Sequence, residues 1–531
     1  MIKKFIALFL TFTIAFGTLG LVACGGGDEK KSDAFTVTYY PGGYGNDWLE
    51  EFVKEFVAKK KYDGDVSKVT SADYKLTPRE DVAAYSTTIM KSKNCPDVIM
   101  ANAIKNDDIS DGLIADITDV YNTKVATSNG EIAIKDYIMP ESKMMFTRSI
   151  RTGGTDMHQW AVPWTAIPLS IAYNETLLKK IAHTTSGNVG ACIEDGYWAK
   201  APTTFEELMT CFADIKAQGT VDGNKISAFG WSMKDGMLWF ESLIYIWWAQ
   251  YQGLDDSKIA GQNAFYDFFN LDSAEKFKQA GIIKSLEHIQ EMITADGSFA
   301  NSYGNPSALT IKDVQPAFAR GESVFCLTGD FFAKEYKTIL ANNSEKVNAK
   351  LMPVPAYDNE HNENYTFLNI TNCMYVPNNA KNKDMAKEFL AFINDEEHLI
   401  RFTELTGAIR PFGANSESDK AAMKGKYLAA KEWGDFEKST FELYFDCEDM
   451  VLAFPRNYKR RGENAEPSII YTYKNARALT NDYGSIVDKM RSDTVENIVV
   501  NNDDSLYELG KEYYREIYAN DSYQKYLIKS L

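Results

Sequence analysis

The sequence predicts an α/β protein with largely parallel sheets. Short β-rich runs alternate with segments whose apolar residues recur at helical spacing, and this alternation is typical of sheets covered by helices. The 531 residues are 45% apolar and 13% aromatic, which is enough for a substantial core and argues against a disordered chain. No period of about 20–50 residues recurs, so a solenoid is not indicated.

The first predicted unit is a strand, a turn and a helix. Val37–Tyr40 is β-rich, and residues 41–45 form a glycine-rich turn. Either Asn46 or Asp47 is the expected N-cap of the helix. The helix itself is predicted from apolar residues at helical spacing: Trp48, Leu49, Phe52, Val53, Phe56 and Val57.

Later segments continue the alternation. Pro96 precedes an apolar strand at residues 98–100. Residues 203–206 fit a capping box with Glu206 at the third helical position, and Gly219 follows the end of that helix. The next elements are a strand at 323–327 that closes at Gly329, an amphipathic helix around residues 386–393, and a tyrosine-rich helix over the last thirty residues.

The charge distribution excludes some classes of protein. The chain has 57 Lys+Arg against 74 Asp+Glu, a net charge of −17, and its mature region holds one short basic run at residues 459–461. Affinity for phosphates needs clustered basic residues, so a nucleic-acid binder is not indicated. No apolar stretch after the first two dozen residues is long enough to span a bilayer, which argues against a polytopic membrane protein.

The N-terminal segment has the layout of a secretory signal. Lys3 and Lys4 are followed by an apolar run at residues 5–16 and then by Leu-Val-Ala-Cys-Gly at residues 21–25. The cysteine after small residues resembles the lipobox of bacterial lipoproteins. The resemblance implies a signal peptide over residues 1–23, cleavage before Cys24 and attachment of a lipid such as palmitate to that residue. An ordinary signal peptide with a chance cysteine is the alternative.

Residues 24–33 are polar and glycine-rich, which predicts a flexible tether. The folded body would then sit outside the cytoplasm, in the periplasm or at the cell surface, held at the cell membrane through lipidated Cys24.

The remaining cysteines do not form a recognisable metal or redox motif. They contain no CxxC pair, and six of them leave the disulfide connectivity open: Cys95, Cys192, Cys211, Cys326, Cys373 and Cys447. Cys326 and Cys373 lie in apolar strand-like runs and are expected in the core. Cys192 and Cys211 flank one short segment and are the first pair to test for a disulfide.

Four segments, in this order, resemble the extracellular solute-binding proteins of ABC importers, specifically the large sugar-binding group called family 1. They are residues 112–118 after the strand at 96–99; residues 160–164 leading into 171–178 and 201–208; residues 318–329 followed by 350–355; and residues 375–379 followed by 386–393 and Thr406-Gly407. Each segment alone is a weak signal. Their shared order covers most of residues 34–412, whereas the chain from 413 onwards matches loosely.

The resemblance implies a two-lobed, periplasmic-binding-protein-like (Venus-flytrap) fold with hinge-crossing strands and a ligand cleft between the lobes. The expected crossings lie near residues 163–168, 365–369 and 410–412. Lobe 1 would comprise residues 34–165 plus 367–412, and lobe 2 residues 166–366 plus 413–531.

Aromatic residues are the first candidates for ligand contact. Seven of the nine tryptophans fall between Trp160 and Trp248, and a sugar presents C–H faces that stack on an indole ring. Trp164, Trp231 and Trp239 adjoin Pro, Gly, Ser or Asp, so they could face a cleft or lie in the core. Trp247 and Trp248 sit in an apolar helical run and are expected in the core. Tyr40, Tyr44 and, more distantly, Tyr471 complete the aromatic candidates.

Polar candidates follow the ends of strands, where open α/β sheets bind ligands. Asn102 and Asp330 both come directly after a predicted strand. In the sugar-binding family the residues after the second of these strands often include an aromatic ligand contact, a role that Asp330 or Phe331 could take here. Arg410 could form a bidentate bond to a ligand or, equally, a structural ion pair.

Enzymatic motifs are scarce. The five histidines form no HExxH pair, and the chain has no GxSxG elbow or P-loop. Residues 358–364 could ligate a cation but read more readily as a solvated loop. We therefore expect no catalytic residues, no cofactor and no metal.

The favoured interpretation is a monomeric binding protein that captures a sugar or oligosaccharide and delivers it to the permease of an ABC transporter. One alternative is a lipid-anchored glycoside hydrolase that uses paired carboxylates. Another is the same fold with a peptide, an amino-sugar or a cationic solute as ligand.

Overall fold

The structure is a computed structural model that describes residues 34–150, 156–187, 189–232, 240–266, 279–294 and 302–452. The contacts divide the chain after Ala34, and the fold below belongs to the unit that starts at Phe35. The signal, Cys24 and the tether, together with the expected helix over the last thirty residues, lie outside the described residues.

The part of the chain that the structure describes contains two large sheets, and the first has five strands. They are β1 Phe35–Tyr39, β2 Tyr74–Pro78, β3 Val98–Ala101, β8 Val162–Pro163 and β18 Cys373–Tyr375. Their order across the sheet is β2-β1-β3-β18-β8. β1 runs parallel to β2 and β3, whereas β18 runs antiparallel to β3 and β8. Strand β3 is buried throughout, which explains its unbroken apolar sequence.

The second sheet has six strands. They are β9 Ile167–Asn174, β14 Ser227–Gly230, β15 Ser323–Gly329, β16 Ala349–Met352, β17 Tyr365–Asn369 and β19 Asp449–Leu452. The order is β14-β15-β9-β17-β19, with β16 paired to β9. β14 is parallel to β15 and β17 is parallel to β19, while β9 is antiparallel to β15, β16 and β17.

The prediction of largely parallel sheets was wrong, because both sheets are mixed. A parallel neighbour needs a long crossover, usually a helix, whereas an antiparallel strand can enter from a short connection. The chain enters the second sheet as β9, after only three residues that follow β8. β9 then becomes the antiparallel centre of that sheet.

Within the described ranges, the chain passes directly between the two sheets in two places. Residues 164–166 join β8 to β9, and residues 370–372 join β17 to β18. These passages run side by side, because Pro163 pairs with Cys373 on one side and Ile167 pairs with Asn369 on the other. The first passage lies within the range expected for a crossing, near residues 163–168, whereas the second follows β17, the strand at 365–369 where a return was expected. That these passages are lobe crossings stays a prediction, as does the third crossing near 410–412.

Among the described residues, four short antiparallel strand pairs lie outside the large sheets. They are β4 Lys124–Thr127 with β5 Gly130–Ala133, β6 Thr147–Ser149 with β7 Met157–Gln159, β10 Ile193–Glu194 with β11 Tyr197–Trp198, and β12 Thr220–Val221 with β13 Asn224–Lys225.

Helices cover the sheets. They are α1 Asp47–Lys61, α2 Val82–Met90, α3 Asn106–Ser110, α4 Thr118–Asn122, α5 Ile134–Tyr137, α6 Pro140–Met145, α7 Glu175–Leu178, α8 Phe205–Gln218, α9 Glu241–Gln252, α10 Ala280–Thr294, α11 Ile311–Ala319, α12 Phe332–Glu335, α13 Lys337–Asn342, α14 Lys383–Phe392, α15 Glu396–Thr406, α16 Glu417–Ala430 and α17 Asp435–Phe445. On the first sheet's side α1 packs against α14 and α15, and on the second sheet's side α11 packs on β15 and α17 on β16.

The predicted start of α1 is confirmed, and the predicted start of α8 is corrected by one residue. Helix α1 begins after Asn46, as expected. Helix α8 begins after Thr204 with a capping box, but the carboxylate at its third position is Glu207 and not Glu206. The reason is that Thr204, not Thr203, is the N-cap, which shifts the register by one residue. Gly219 ends α8 in the left-handed conformation that glycine adopts without strain.

We expect Glu207→Ala to lower the free energy of unfolding by about 1–3 kcal/mol. One carboxylate oxygen of Glu207 accepts hydrogen bonds from the backbone N–H groups of Thr203 and Thr204 and from the Thr203 hydroxyl. The exposed neighbour provides the control, since Glu206→Ala should stay within about 0.5 kcal/mol of the parent chain. Urea denaturation measures both changes, and equal losses would contradict the assignment of Glu207 to the capping box.

The core contains the residues expected there. Trp247 and Trp248 are fully buried in α9, which confirms that interpretation, and Cys326 and Cys373 are likewise buried. All six cysteines of the described residues have free thiols, so the suggested Cys192–Cys211 pair is not bonded in the structure.

Candidate functional site

Two half-buried side chains follow neighbouring strands of the first sheet. Tyr40 comes directly after β1 and Asn102 directly after β3. These strands are parallel, and the Tyr40 backbone N–H donates to the Met100 carbonyl at 2.9 Å, so both side chains lie at the same edge. The Asn102 side-chain oxygen is buried and has no hydrogen-bond partner among the described residues. It can therefore accept a hydrogen bond from a ligand.

The second sheet contributes Asp330 and Phe331 from the carboxyl end of β15. Asp330 is 1% exposed, and Phe331 is half-buried just before α12. In the register of the sheet, Gly329 lies opposite Leu169, close to the point where the chain enters β9. The strand end predicted to carry ligand contacts therefore lies beside the passage between the sheets.

The loop after β1 and the segment after β15 touch. The Tyr44 hydroxyl donates to an Asp330 carboxylate oxygen at 2.5 Å, and the Tyr44 ring meets the Phe331 ring edge-on at a centroid distance of 6.1 Å. Lys334 and Asp47 form a more exposed ion pair at 2.9 Å across the same gap. Gly43 allows this approach, because an added Cβ would lie 2.9 Å from the Cβ of Phe331.

Burial determines the electrostatics of this contact. The pKa of Asp330 is raised to about 7 because its carboxyl group is fully removed from water, although hydrogen bonds from Tyr44 and from the Ile409 backbone N–H oppose that rise. The second carboxylate oxygen of Asp330 has no hydrogen-bond partner in the described part of the chain. The pKa of Tyr44 is raised well above its usual value, first by burial and then by the adjacent carboxylate.

Tyr40 lies beside the contact. Its pKa is raised by burial and, to a smaller extent, by the negative charges of Glu80 and Glu335. The edge of the site is therefore aromatic and acidic. Such a surface can stack on a ring and accept hydrogen bonds from hydroxyl or amino groups.

Trp164 packs against the buried side of Tyr44. It lies in the passage from β8 to β9, is fully buried, and stacks on Trp48 at a centroid distance of 5.8 Å. Its indole N–H donates to the Ala101 carbonyl at 3.4 Å, and its ring meets Tyr44 edge-on at 5.4 Å. The structure thus places Trp164 against Tyr44 and against Ala101 at the end of β3, and its direct contact with a ligand stays a prediction.

Arg410 is fully buried with its guanidinium directed at the protein. It donates to the Ile393 carbonyl, to the Pro163 carbonyl at 3.4 Å and to the Asn394 side-chain oxygen at 2.6 Å. Its pKa is lowered to about 9 by burial. These bonds join the end of β8 to the segment after α14, so Arg410 has a positioning role. Ligand contact by Arg410 stays a prediction.

The other predicted site residues do not join this group in the described structure. Trp231 follows β14 but is buried against Phe240, at a centroid distance of 5.5 Å. Trp239 and Tyr471 lie outside the described residues.

Three contributors to the site were not predicted. They are the Ile409 backbone N–H, which donates to Asp330; the Thr165 hydroxyl, which is buried and donates to the Ile409 carbonyl at 3.1 Å; and Lys334, which pairs with Asp47. A backbone group has no sequence signal. The glycine-rich turn at 41–45 was the one available sign that another segment approaches closely there.

Metal ligation and membrane crossing find no support in the part of the chain that the structure describes. Across those ranges, no group of three or more His, Cys, Asp or Glu side chains is arranged to hold a metal ion. Among the described helices, none combines the length and apolar character that a bilayer crossing needs.

Comparison with solved structures finds the same fold in proteins of low sequence identity. A chitin oligosaccharide binding protein aligns with a TM-score of 0.57 at 12% identity, covering 91% of this chain and 100% of its own. A sugar transporter protein from Bacillus licheniformis, solved with stachyose, has a TM-score of 0.53 at 14% identity and covers 91% and 100%. An ABC transporter solute binding protein from Thermotoga lettingae, bound with α-D-tagatose, has a TM-score of 0.53 at 15% identity and covers 93% and 100%.

These neighbours are two-lobed, and their similarity confirms the predicted two-lobed α/β fold. A comparison with the sequences of curated proteins finds no match. The sequence model described as bacterial extracellular solute-binding protein matches residues 51–429, which is well over half of the chain. The chain belongs to the bacterial extracellular solute-binding proteins.

Proposed function

We propose that the protein captures a sugar or oligosaccharide between its two lobes and delivers it to the permease of an ABC importer. The observation that carries this proposal is that half-buried aromatic rings, Tyr40 and Phe331, and polar groups, Asn102 and Asp330, follow strand ends of the two sheets, and that the Tyr44–Asp330 hydrogen bond joins these segments. Aromatic faces stack on sugar rings while amide and carboxylate groups bind hydroxyls. The sugars named for the structural neighbours support the same ligand class.

We divide the lobes as the sequence suggests, with residues 34–165 plus 367–412 in lobe 1 and residues 166–366 plus 413–531 in lobe 2. The division is supported by the two passages at residues 164–166 and 370–372, since each connects a strand of one sheet to a strand of the other. Closing of the lobes would then bring Tyr40 and Asn102 towards Phe331 and Asp330. The protein binds its ligand as a monomer and breaks no bond in it.

The anchor completes the proposal. Residues 1–23 act as a lipoprotein signal peptide, lipidated Cys24 holds the protein at the cell membrane, and residues 24–33 form the tether. The proposal rests on the sequence of this segment and on the extracellular character of the family. A tethered binding protein stays close to its permease, which raises the effective concentration at which the two meet.

Isothermal titration of the mature chain against raffinose, stachyose, chitin oligosaccharides and xylan oligosaccharides tests the ligand class. We expect saturable binding to at least one of them, and Asn102→Ala or Phe331→Ala should weaken it by about tenfold, the loss of one hydrogen bond or one stacked ring. Tyr197→Ala is the control, because this aromatic side chain is 49% exposed on the β10–β11 hairpin.

Two outcomes would replace the proposal. If none of the sugars binds and an amino-sugar or a basic peptide binds saturably, the protein is a binding protein for that other solute. Release of smaller saccharides during the titration, abolished by Asp330→Asn, would establish the glycoside hydrolase alternative.

A further inference from the structure

The contact between Tyr44 and Asp330 joins segments that belong to different sheets. Tyr44 lies in a short 3₁₀ turn after β1, and Asp330 follows β15, 286 positions later in the chain. The close approach at Gly43 and the Lys334–Asp47 ion pair show that the two segments meet over several residues. Because the two segments belong to different lobes of the proposed division, we take these contacts as those of the closed arrangement.

Asp330 has little to compensate its charge in this arrangement. The groups that face its carboxyl are the Tyr44 hydroxyl from the turn after β1, the Ile409 backbone N–H from the segment after α15, and the backbone N–H groups of Asp330 and Phe331. Beyond Tyr44 lie the phenol of Tyr40 and the hydroxyl of Thr165.

Within the described residues, no basic side chain is among these facing groups, and Lys334 is engaged with Asp47. One carboxylate oxygen of Asp330 is buried without a partner there. A buried carboxylate in such surroundings is disfavoured relative to the neutral acid.

We propose that closing of the two lobes is coupled to the uptake of a proton by Asp330, so that acid favours the closed arrangement and alkali the open one. This inference rests on the two-lobe closing of the proposed function, and it adds a proton as a second ligand of the same cleft. Opening returns Asp330 to water, where it releases the proton, and the Tyr44 hydroxyl is freed at the same time.

The direction and window follow from the two environments of the carboxyl group. In water its pKa is about 3.9, and in the closed arrangement burial raises the pKa to about 7. Below about pH 4 both arrangements hold the proton and closing carries no penalty. Between about pH 4 and 7 the equilibrium constant for closing should fall, by up to about tenfold per pH unit, and above about pH 7 it should level off.

Small-angle scattering of the ligand-free mature chain between about pH 5 and 8 tests this coupling, because the range spans the upper part of that window. The radius of gyration of the parent chain should rise with pH. Asp330→Asn keeps an acceptor for Tyr44 but cannot ionise, so its radius should stay small and independent of pH. Asp222→Asn makes the same chemical change at an exposed ion pair with Lys180 outside this contact, so this matched control should follow the pH dependence of the parent chain.

A further variant tests the same contact in case Asp330→Asn does not fold. Gly43→Ala introduces a Cβ into the contact, and its radius should be larger than that of the parent chain even at the acid end of the range, with an unchanged far-ultraviolet circular dichroism spectrum. A parent radius that does not change with pH, or one that changes equally in Asp330→Asn, overturns the proposal.

Failure of this inference can be told apart from failure of the proposed function, because the scattering uses no sugar. If the chain binds sugar but shows no Asp330-dependent compaction, only the proposed proton coupling is contradicted. If the chain compacts in acid but binds none of the sugars, the proton coupling is supported and the proposed sugar ligand is contradicted.

Discussion

Arg410→Ala should lower the free energy of unfolding by about 3–5 kcal/mol, because three buried acceptors lose their donor at once. The guanidinium donates to the carbonyls of Ile393 and Pro163 and to the side chain of Asn394, and it lies over the rings of Phe402 and Phe412 at 5.8 and 5.3 Å. Lysine cannot replace it, since a single ammonium group cannot reach all three acceptors from one position.

Urea denaturation monitored by circular dichroism measures this loss. Arg401→Ala is the matched control, because Arg401 forms its ion pairs with Glu51 and Glu404 at the surface and should contribute less than about 1 kcal/mol. If Arg410→Ala left stability unchanged and abolished ligand binding, Arg410 would be a ligand contact and not a link between the passage and α14.

Trp164→Ala should also destabilise strongly, by about 3–5 kcal/mol, because it empties a fully buried indole site. The substitution removes the stacking on Trp48 and the support behind Tyr44, and it leaves the Ala101 carbonyl without its donor. Ligand affinity measured on the folded fraction should fall as well, because Tyr44 loses the ring that it packs against and the strand end before Asn102 loses its hydrogen bond at Ala101.

Thermal unfolding and titration, carried out on the same preparations, separate these two effects. Trp164→Phe should recover most of the stability, since it restores an apolar ring of similar shape. A large loss of affinity in Trp164→Phe at nearly parental stability would instead mean that the indole itself touches the ligand. Tyr197→Ala serves again as the exposed aromatic control.

Much of the local structure could be predicted because its causes are local. The turn at 41–45, the start of α1 after Asn46 and the end of α8 at Gly219 depend on residues within a few positions of each other. The error at α8 also has a local cause. Two adjacent threonines can each act as N-cap, and only the observed register shows that Thr204 does.

The direction of the strands could not be predicted from the sequence pattern. An apolar run such as 323–327 has the same pattern whether its neighbour is parallel or antiparallel, so the central antiparallel role of β9 could not be foreseen. β2, at Tyr74–Pro78, was missed because its residues alternate between half-buried and exposed and include no unbroken apolar run.

The amino-acid sequence alone was sufficient for the α/β class, for the order of motifs that relates the chain to solute-binding proteins, and for the strand ends that carry Tyr40, Asn102, Asp330 and Phe331. These features depend on short-range spacing and on the type of each side chain. The tertiary structure alone decided that Arg410 and Trp164 are buried and that Tyr44 meets Asp330 across 286 positions. Contacts of that kind form only when two separately built sheets are brought together, and no local pattern encodes the distance between them.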